Sequence, residues 1–432
     1  MATEVLGADQ GSDVRRRTRT GTVLTFVFAI IPLTFIGGQL LGFLVSGWAW
    51  LLVLAAAGLL VLTEPLPRRA VRLLLPYLLF VGYACATLAW SLNASEGVAT
   101  LMQFIVPAMV YLLAWRLGLH AGLYTRLRTA SLWGLVVAVL LTVAFMGGLQ
   151  LPLGMELSSR PMGISLVVLF VTATLHSTSW RFTVLVGGIA LAISMATGSR
   201  MASLVLLITL LTSPSLGLRW QGRVAIAVAC VVTVLLVSQT EAFKTRFFFD
   251  EDGSLTDVLT LSGNVNTAGR RELWPLLLRE CQSSSLTGLG IASATPLTFE
   301  VSDGILDHPH NEYIRTYCDE GWIGSILIGL FFLAALLRSW AGAFTGRDKA
   351  LHGAAGQVVL ALLIFSITDN PLSYTAHFMA PLAAILGFSD RALAEAARPG
   401  GVHARHNRET ANERARSPAT VRHRGRSGSG TG

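Results

Sequence analysis

His308-Pro309-His310-Asn311-Glu312 leads, through Asp319-Glu320, into Gly321-Trp322-Ile323-Gly324-Ser325-Ile326-Leu327-Ile328-Gly329-Leu330-Phe331-Phe332-Leu333-Ala334-Ala335-Leu336-Leu337, a run with no charge in it. A helix needs about 20 apolar residues to cross a bilayer, with a range of about 17–25, so a span is predicted over 321–339. The polar stretch before it, 241–319, is the one sizeable water-compatible piece inside an otherwise apolar chain. Its last residues therefore sit at a seam between water and lipid. A histidine there has an unperturbed pKa of about 6.5 and can take up a proton near neutral pH.

The composition agrees with a bilayer protein. Of 432 residues 53% are hydrophobic and 13% charged, and the mean hydropathy is +0.59; a soluble domain carries about a quarter charged residues. The net charge of +8 does not point to nucleic acid, because the basic residues cluster between apolar runs and in the C-terminal tail, as membrane topology requires. Lysine occurs only at 244 and 349.

Applied along the chain, the length rule predicts spans near 22–42, 47–63, 73–91, 98–116, 130–149, 162–178, 183–198, 201–214 and 224–240, then 321–339, 351–369 and 376–391. The expected fold is an all-α integral membrane protein of about twelve transmembrane helices with one large extracytoplasmic loop containing short helices. Basic residues resist translocation, and alternate connections carry Arg68, Arg69 and Arg72; Arg116, Arg126 and Arg128; Arg181; Arg219 and Arg223; Arg338, Arg347 and Lys349. The opposite connections carry little beyond Arg160 and Arg200. The organisation expected is a cytoplasmic N-terminus (1–20), nine spans (21–240), an extracytoplasmic loop (241–319), three more spans (320–392) and a basic cytoplasmic tail (393–432). The tail has almost no large apolar residues after Val402 and is expected to be disordered.

Cys85, Cys230, Cys281 and Cys318 show no metal-binding spacing. Cys85 and Cys230 lie in apolar runs as small hydrophobes. Cys281 and Cys318 would both face the oxidising side, which leaves a disulfide between them open.

Three basic positions stand out on that side. Arg270, with Arg271 beside it, precedes Glu272-Leu273-Trp274-Pro275. Proline is tolerated in the first turn of a helix, so a helix is predicted to start there, lying on the bilayer surface with an anion-favouring N-terminus. Arg200 follows Ala196-Thr197-Gly198-Ser199 in a turn at membrane depth, where an ionisable group is costly; snorkelling to headgroups is its bland alternative. Arg160, in Ser158-Ser159-Arg160-Pro161, is explained by loop solvation as well as by function. Arginines facing one cavity suit a diphosphate, since the guanidinium fork binds phosphate oxygens in pairs and keeps its charge. Neighbouring arginines would hold a histidine neutral and able to act as a base. His308, His310 and Glu312 are too close in sequence to converge readily on a metal, and no metal or other cofactor is expected.

From His310 the sequence reads His-Asn, nine residues, Gly321, two residues, Gly324, then an apolar helix. This resembles the signature of the O-antigen ligase and O-antigen polymerase superfamily of bacterial membrane glycosyl transferases. Thr197-Gly198-Ser199-Arg200 is similar to that family's small-residue-Ser-Arg element, and Gly269-Arg270 with Trp274 to its Gly-Arg-x-x-x-Trp element; the resemblance covers roughly 160–390. It implies metal-independent transfer of a glycan from an undecaprenyl-diphosphate carrier to a glycan, lipid or protein acceptor hydroxyl, as in polysaccharide biosynthesis at the cell envelope. It implies an inner (plasma) membrane location with the site extracytoplasmic. His310 would be the base, Arg200 and Arg270 would hold the diphosphate, and Arg271, Arg160 and Asn311 would contribute to substrate binding. Gly321 and Gly324 would permit close packing behind the histidine. Two other readings compete: a transporter or flippase for a lipid-linked oligosaccharide, which would want charge inside the spans, and a non-catalytic partner in polysaccharide export.

Overall fold

The computed structural model describes residues 67–146, 159–217 and 269–397, apart from 120 and 347, with a few isolated positions between 221 and 232. The spans expected at 22–42 and 47–63, nearly all of that at 224–240, the N-terminus, the first part of the loop and the tail beyond 397 lie outside the described residues. The described regular structure is helical. We number the helices α1 (Arg68–Thr87), α2 (Ala94–Leu117), α3 (Ala121–Met146), α4 (Ser159–Thr174), α5 (Trp180–Ala196), α6 (Arg200–Thr212), α7 (Arg270–Cys281), α8 (Ala294–Val301), α9 (Glu312–Thr345), α10 (Lys349–Phe365) and α11 (Ala380–Ala396).

Among these, the stretches Arg68–Trp90, Ala94–Leu117, Gly122–Ala144 and Glu312–Thr345 are long and apolar enough to cross a membrane; α4, α5, α6 and α10 are apolar but shorter. The chain is a membrane protein by this measure and by its composition. The expected spans fall on α1 to α6 and α9 to α11 with shifted ends. α3 starts nine residues before the predicted 130, taking in Arg126 and Arg128, whose long stems can lie along an apolar surface. α10 stops at Phe365, four residues short of its prediction, and α11 runs on to Ala396.

Helix ends follow local chemistry. Asn93 caps α2 by accepting the Glu96 N–H while its own amide meets the Glu96 carboxylate at 2.8 Å, and Asp348 caps α10 through the Leu351 N–H at 3.1 Å. Each satisfies a donor that a helix N-terminus leaves open.

Within a bilayer, apolar burial gives no driving force between helices, so packing and interhelical hydrogen bonds hold them together. α2 is central: 61% of its most apolar window is buried, against 28% for α1 and α3. α11 lies directly on it, and a Cβ on Gly387 would come within 2.5 Å of the Tyr111 carbonyl. Tyr77 of α1 donates to the Phe104 carbonyl at 2.9 Å and its ring meets Phe331 of α9 at 5.0 Å. Asp390 of α11 accepts from Tyr111 (2.8 Å) and Arg338 (3.2 Å), pinning α2, α9 and α11 together at the end away from His310.

The architecture reverses direction between α6 and α10. Gln357 donates to the Thr209 carbonyl at 2.7 Å, and a Cβ on Gly353 would meet Pro214, so the two helices run antiparallel. Nine residues separate Thr209 from Arg200, and nine separate Gln357 from Ser366. At about 1.5 Å rise per residue, Arg200 and Ser366 lie at one level. α4 brings its start to that level too, since a Cβ on Gly163 would strike Ala202 and Ser199.

Candidate functional site

His310 stands at the end of the short segment that joins α8 to α9. Its backbone is left-handed, with φ of 48°, a conformation uncommon for a residue with a Cβ and worth attention where it occurs at a site. Neighbours on both sides hold it there. The Pro309 carbonyl accepts the Trp274 indole N–H at 2.8 Å. On the other side Asn311 caps α9 through the Ile314 N–H (3.1 Å) and donates its amide to the Ile367 carbonyl (3.0 Å), while the Glu312 N–H bonds the Ser366 carbonyl (2.9 Å). The histidine is thus clamped between the first turns of α7 and the 366–369 turn that ends α10.

That turn carries Asp369. Its Oδ1 lies 4.0 Å from His310 Nδ1, and the two side chains are 10% and 15% exposed. Tyr374 donates to the same oxygen at 3.1 Å and the Asn370 N–H at 2.9 Å, which fixes the carboxylate facing the imidazole. A separation of 4.0 Å is beyond hydrogen-bond length, but contacts in an unliganded site are commonly long and tighten when substrate arrives. His308 stands edge-on to His310 with centroids 6.3 Å apart and meets the Thr295 hydroxyl at 3.4 Å.

Arg270 is the first residue of α7, and Gly269 before it takes φ of 75° to turn the chain into the helix. Residues four apart share a helix face, so Arg270 lies one turn from Trp274 on the face that holds Pro309. Arg271 is exposed and lies off that face. Pro275 sits past the first turn rather than within it; the helix nonetheless starts where predicted. Arg200 opens α6, exposed at the level of Ser366, and the Arg160 backbone lies in the first turn of α4, three residues before Gly163. The positions expected to bind or react therefore gather at one end of the bundle, with Arg270 joined to His310 through Trp274 and Pro309.

The Asn311 side chain is buried, its amide occupied by the cap and by Ile367. Glu312 is likewise turned inward, its carboxylate meeting Arg315 Nε at 2.7 Å and the Leu372 N–H at 2.9 Å; Arg315 also reaches Ser373 at 3.0 Å. A pair this deeply buried is costly to break from one side, and it ties the start of α9 to the segment after Asp369.

A cap covers this end. Cys281 of α7 and Cys318 of α9 form a disulfide, with Cα atoms 5.1 Å apart. Around it Leu273, Leu277, Ala294 and Ile314 make a small core separate from that of the bundle. The pairing that the sequence left open is present.

Residues 185–329 match the family model described as O-Antigen ligase. Over that stretch the chain is similar to the O-antigen ligase family. The matched residues take in Arg200, Arg270, Arg271, His310 and Asn311, while Arg160 and Asp369 lie outside them. The match supports an O-antigen-ligase-like function in general and the class of glycosyl-transferring ligases and polymerases. No curated protein matches the chain.

Nothing in the sequence around Asp369 marks it as part of a site. Asp369-Asn370-Pro371 reads as a turn former, and its pairing with His310 arises only from the fold. Within the matched residues, Gly321 does more than permit close packing. Its φ of 65° breaks α9 in two, and a Cβ there would lie 2.5 Å from both the Leu286 carbonyl oxygen and the Gly288 nitrogen.

Proposed function

We propose that this protein transfers a glycan from an undecaprenyl-diphosphate carrier to an acceptor hydroxyl, as a ligase or polymerase of a cell-surface polysaccharide. The observation that carries the reading is the clamped, left-handed His310 facing Asp369, with Arg270 one helical turn before the Trp274 that holds Pro309. Arg270 and Arg200 hold the diphosphate and offset the charge that grows on it as the sugar departs; Arg271 and Arg160 add to the positive field at the rim. The acceptor oxygen attacks the anomeric carbon, the bond from that carbon to the diphosphate oxygen breaks, and the acceptor proton passes to His310 Nε2. Asp369, on the Nδ1 side, orients the ring and favours the imidazolium that results. Attack opposite the leaving diphosphate inverts the anomeric centre. Asn311 supports this arrangement by holding the backbone on which His310 stands.

The disulfide supports an extracytoplasmic site, because such bonds persist in oxidising compartments. The test is transfer from a defined undecaprenyl-diphosphate glycan by purified protein, with EDTA present. His310→Ala is expected to lose activity by about 10²–10⁴-fold, the usual worth of a general base, with membrane insertion and the disulfide intact. Normal product from His310→Ala would remove the mechanism.

A further inference from the structure

Past Asp369 the chain turns through Asn370-Pro371-Leu372-Ser373 to Tyr374, which reaches back over its own turn. Its hydroxyl donates to Asp369 Oδ1 at 3.1 Å. The same oxygen takes the Asn370 N–H at 2.9 Å and stands 4.0 Å from His310 Nδ1. The backbone on both sides of Tyr374 holds the phenol there. Its N–H bonds the Pro371 carbonyl at 3.1 Å, closing the turn. Its own carbonyl accepts the Phe378 and Met379 N–H groups, at 2.9 and 3.2 Å, in a single π turn, Thr375–Met379, that leads into α11. Such turns are rare and are frequent at functional sites. The Asn370 N–H, fixed by the adjacent peptide, already anchors Oδ1. What the phenol adds is a further withdrawal of charge from that oxygen.

We propose that Tyr374 is a positioning residue that sets the base strength of His310 through Asp369, keeping the imidazole neutral until the acceptor hydroxyl arrives. The proposal rests on the general-base reading of His310 in the preceding section. A hydrogen bond to a carboxylate stabilises its charge and lowers the negative potential that Oδ1 places on His310 Nδ1. A more strongly charged oxygen would favour the imidazolium before substrate binds, and an imidazolium cannot accept the acceptor proton. Other ionisable groups surround the pair. His308 stands edge-on to the ring, and Glu312 and Arg315 at the start of α9 are paired with each other. Asp319 and Glu320 lie about two turns farther along that helix. Arg270 and Arg271 open α7, Arg200 opens α6 and Arg160 lies in the first turn of α4. These arginines act on the ring through space and push it towards neutrality; Tyr374 acts on the carboxylate itself.

Tyr374→Phe removes the hydroxyl and keeps the ring. Diethyl pyrocarbonate attacks neutral imidazole, so its reaction at His310, resolved by peptide mass spectrometry, is followed against pH in the full-length protein in detergent. The pH dependence of kcat/KM for transfer is measured beside it. In Tyr374→Phe both profiles are expected to move to higher pH by about one unit, with the alkaline plateau of kcat/KM retained. The sign follows because charge restored to Oδ1 stabilises the protonated ring, and a base works only when deprotonated. In an Asp369→Asn background the same change should leave both profiles in place. Profiles unmoved by Tyr374→Phe alone, or moved equally in the Asp369→Asn background, would make the phenol a brace of the turn and overturn the proposal. A shift to lower pH would overturn it as well, since the carboxylate would then have swung off the ring. The pyrocarbonate reaction needs no donor. Protein that transfers no glycan would therefore sink the reaction of the preceding section, while the shift at His310 still decides the role of Tyr374.

Discussion

Trp274 reaches the reaction through a single N–H. Its indole donates to Pro309, the residue before a histidine held at φ of 48°, so removing that donor frees one side of the clamp. Trp274→Phe keeps the aromatic bulk and deletes the hydrogen bond, leaving a buried carbonyl unpaired at a cost of about 1–3 kcal/mol. A small misplacement of a reacting group can cost about 10²-fold in rate. The expected outcome is a kcat lowered by about 10–100-fold with donor KM little changed, measured beside protein yield and intact disulfide. A fall in KM-based affinity alone, with kcat retained, would make Trp274 a binding residue instead. At this scale the sequence was partly legible. His310, Arg270 and Arg200 carry rare chemistry at fixed offsets in an apolar chain, so they can be picked out one by one. Asp369 cannot, because 58 residues of chain lie between it and His310 and nothing local marks the contact. Asn311 could be named but not understood: its capping role and its bond to Ile367 depend on where α10 ends.

α7 is held at both of its ends, by Trp274 near the start and by Cys281 at the finish. Between them Leu273 and Leu277 bury against Ala294 and Ile314 in a core too small to fix a helix firmly by itself. The disulfide closes a sequence separation of 37 residues, and a loop of that length is worth about 4 kcal/mol in the chain-entropy account. Cys281→Ser with Cys318→Ser should therefore loosen the cap before the bundle. Thermal inactivation of transfer is expected well below loss of helicity by circular dichroism, and in wild type a reductant should reproduce it. Inactivation and helix loss that still coincide in the double variant would show that the cap stands without the bond. The sequence placed α7 from Gly269-Arg270 and the span from Gly321, since a turn former and a loss of charge mark those boundaries. It did not reveal that Glu312–Glu320 is itself helical, joined to the span through a break. Charged Arg315, Asp319 and Glu320 read as loop, yet all three are buried under the cap.

At the scale of the whole molecule the chain separates two polar ends. Arg338, Asp390, Tyr111 and the His352–Ser389 pair (2.7 Å) lie at one; His310, Asp369, the arginine positions and the disulfide lie at the other. α6 and α10 run antiparallel between them, and α4 begins at the same end as α6, so every expected cation shares the histidine's side. Charge alternation along the sequence predicts that this side is the exterior, an expectation the disulfide supports because such bonds form where thiols are not kept reduced. Ile305 offers a direct check, being 80% exposed in the cap five residues before His310. In a background with Cys85 and Cys230 replaced by Ala, Ile305→Cys places one reactive thiol beside the site; its native neighbours Cys281 and Cys318 are locked in their bond. A membrane-impermeant maleimide should label this variant in intact cells as fully as after permeabilisation. Labelling that waits for permeabilisation would put His310 inside, where the proposed extracytoplasmic transfer could not take place.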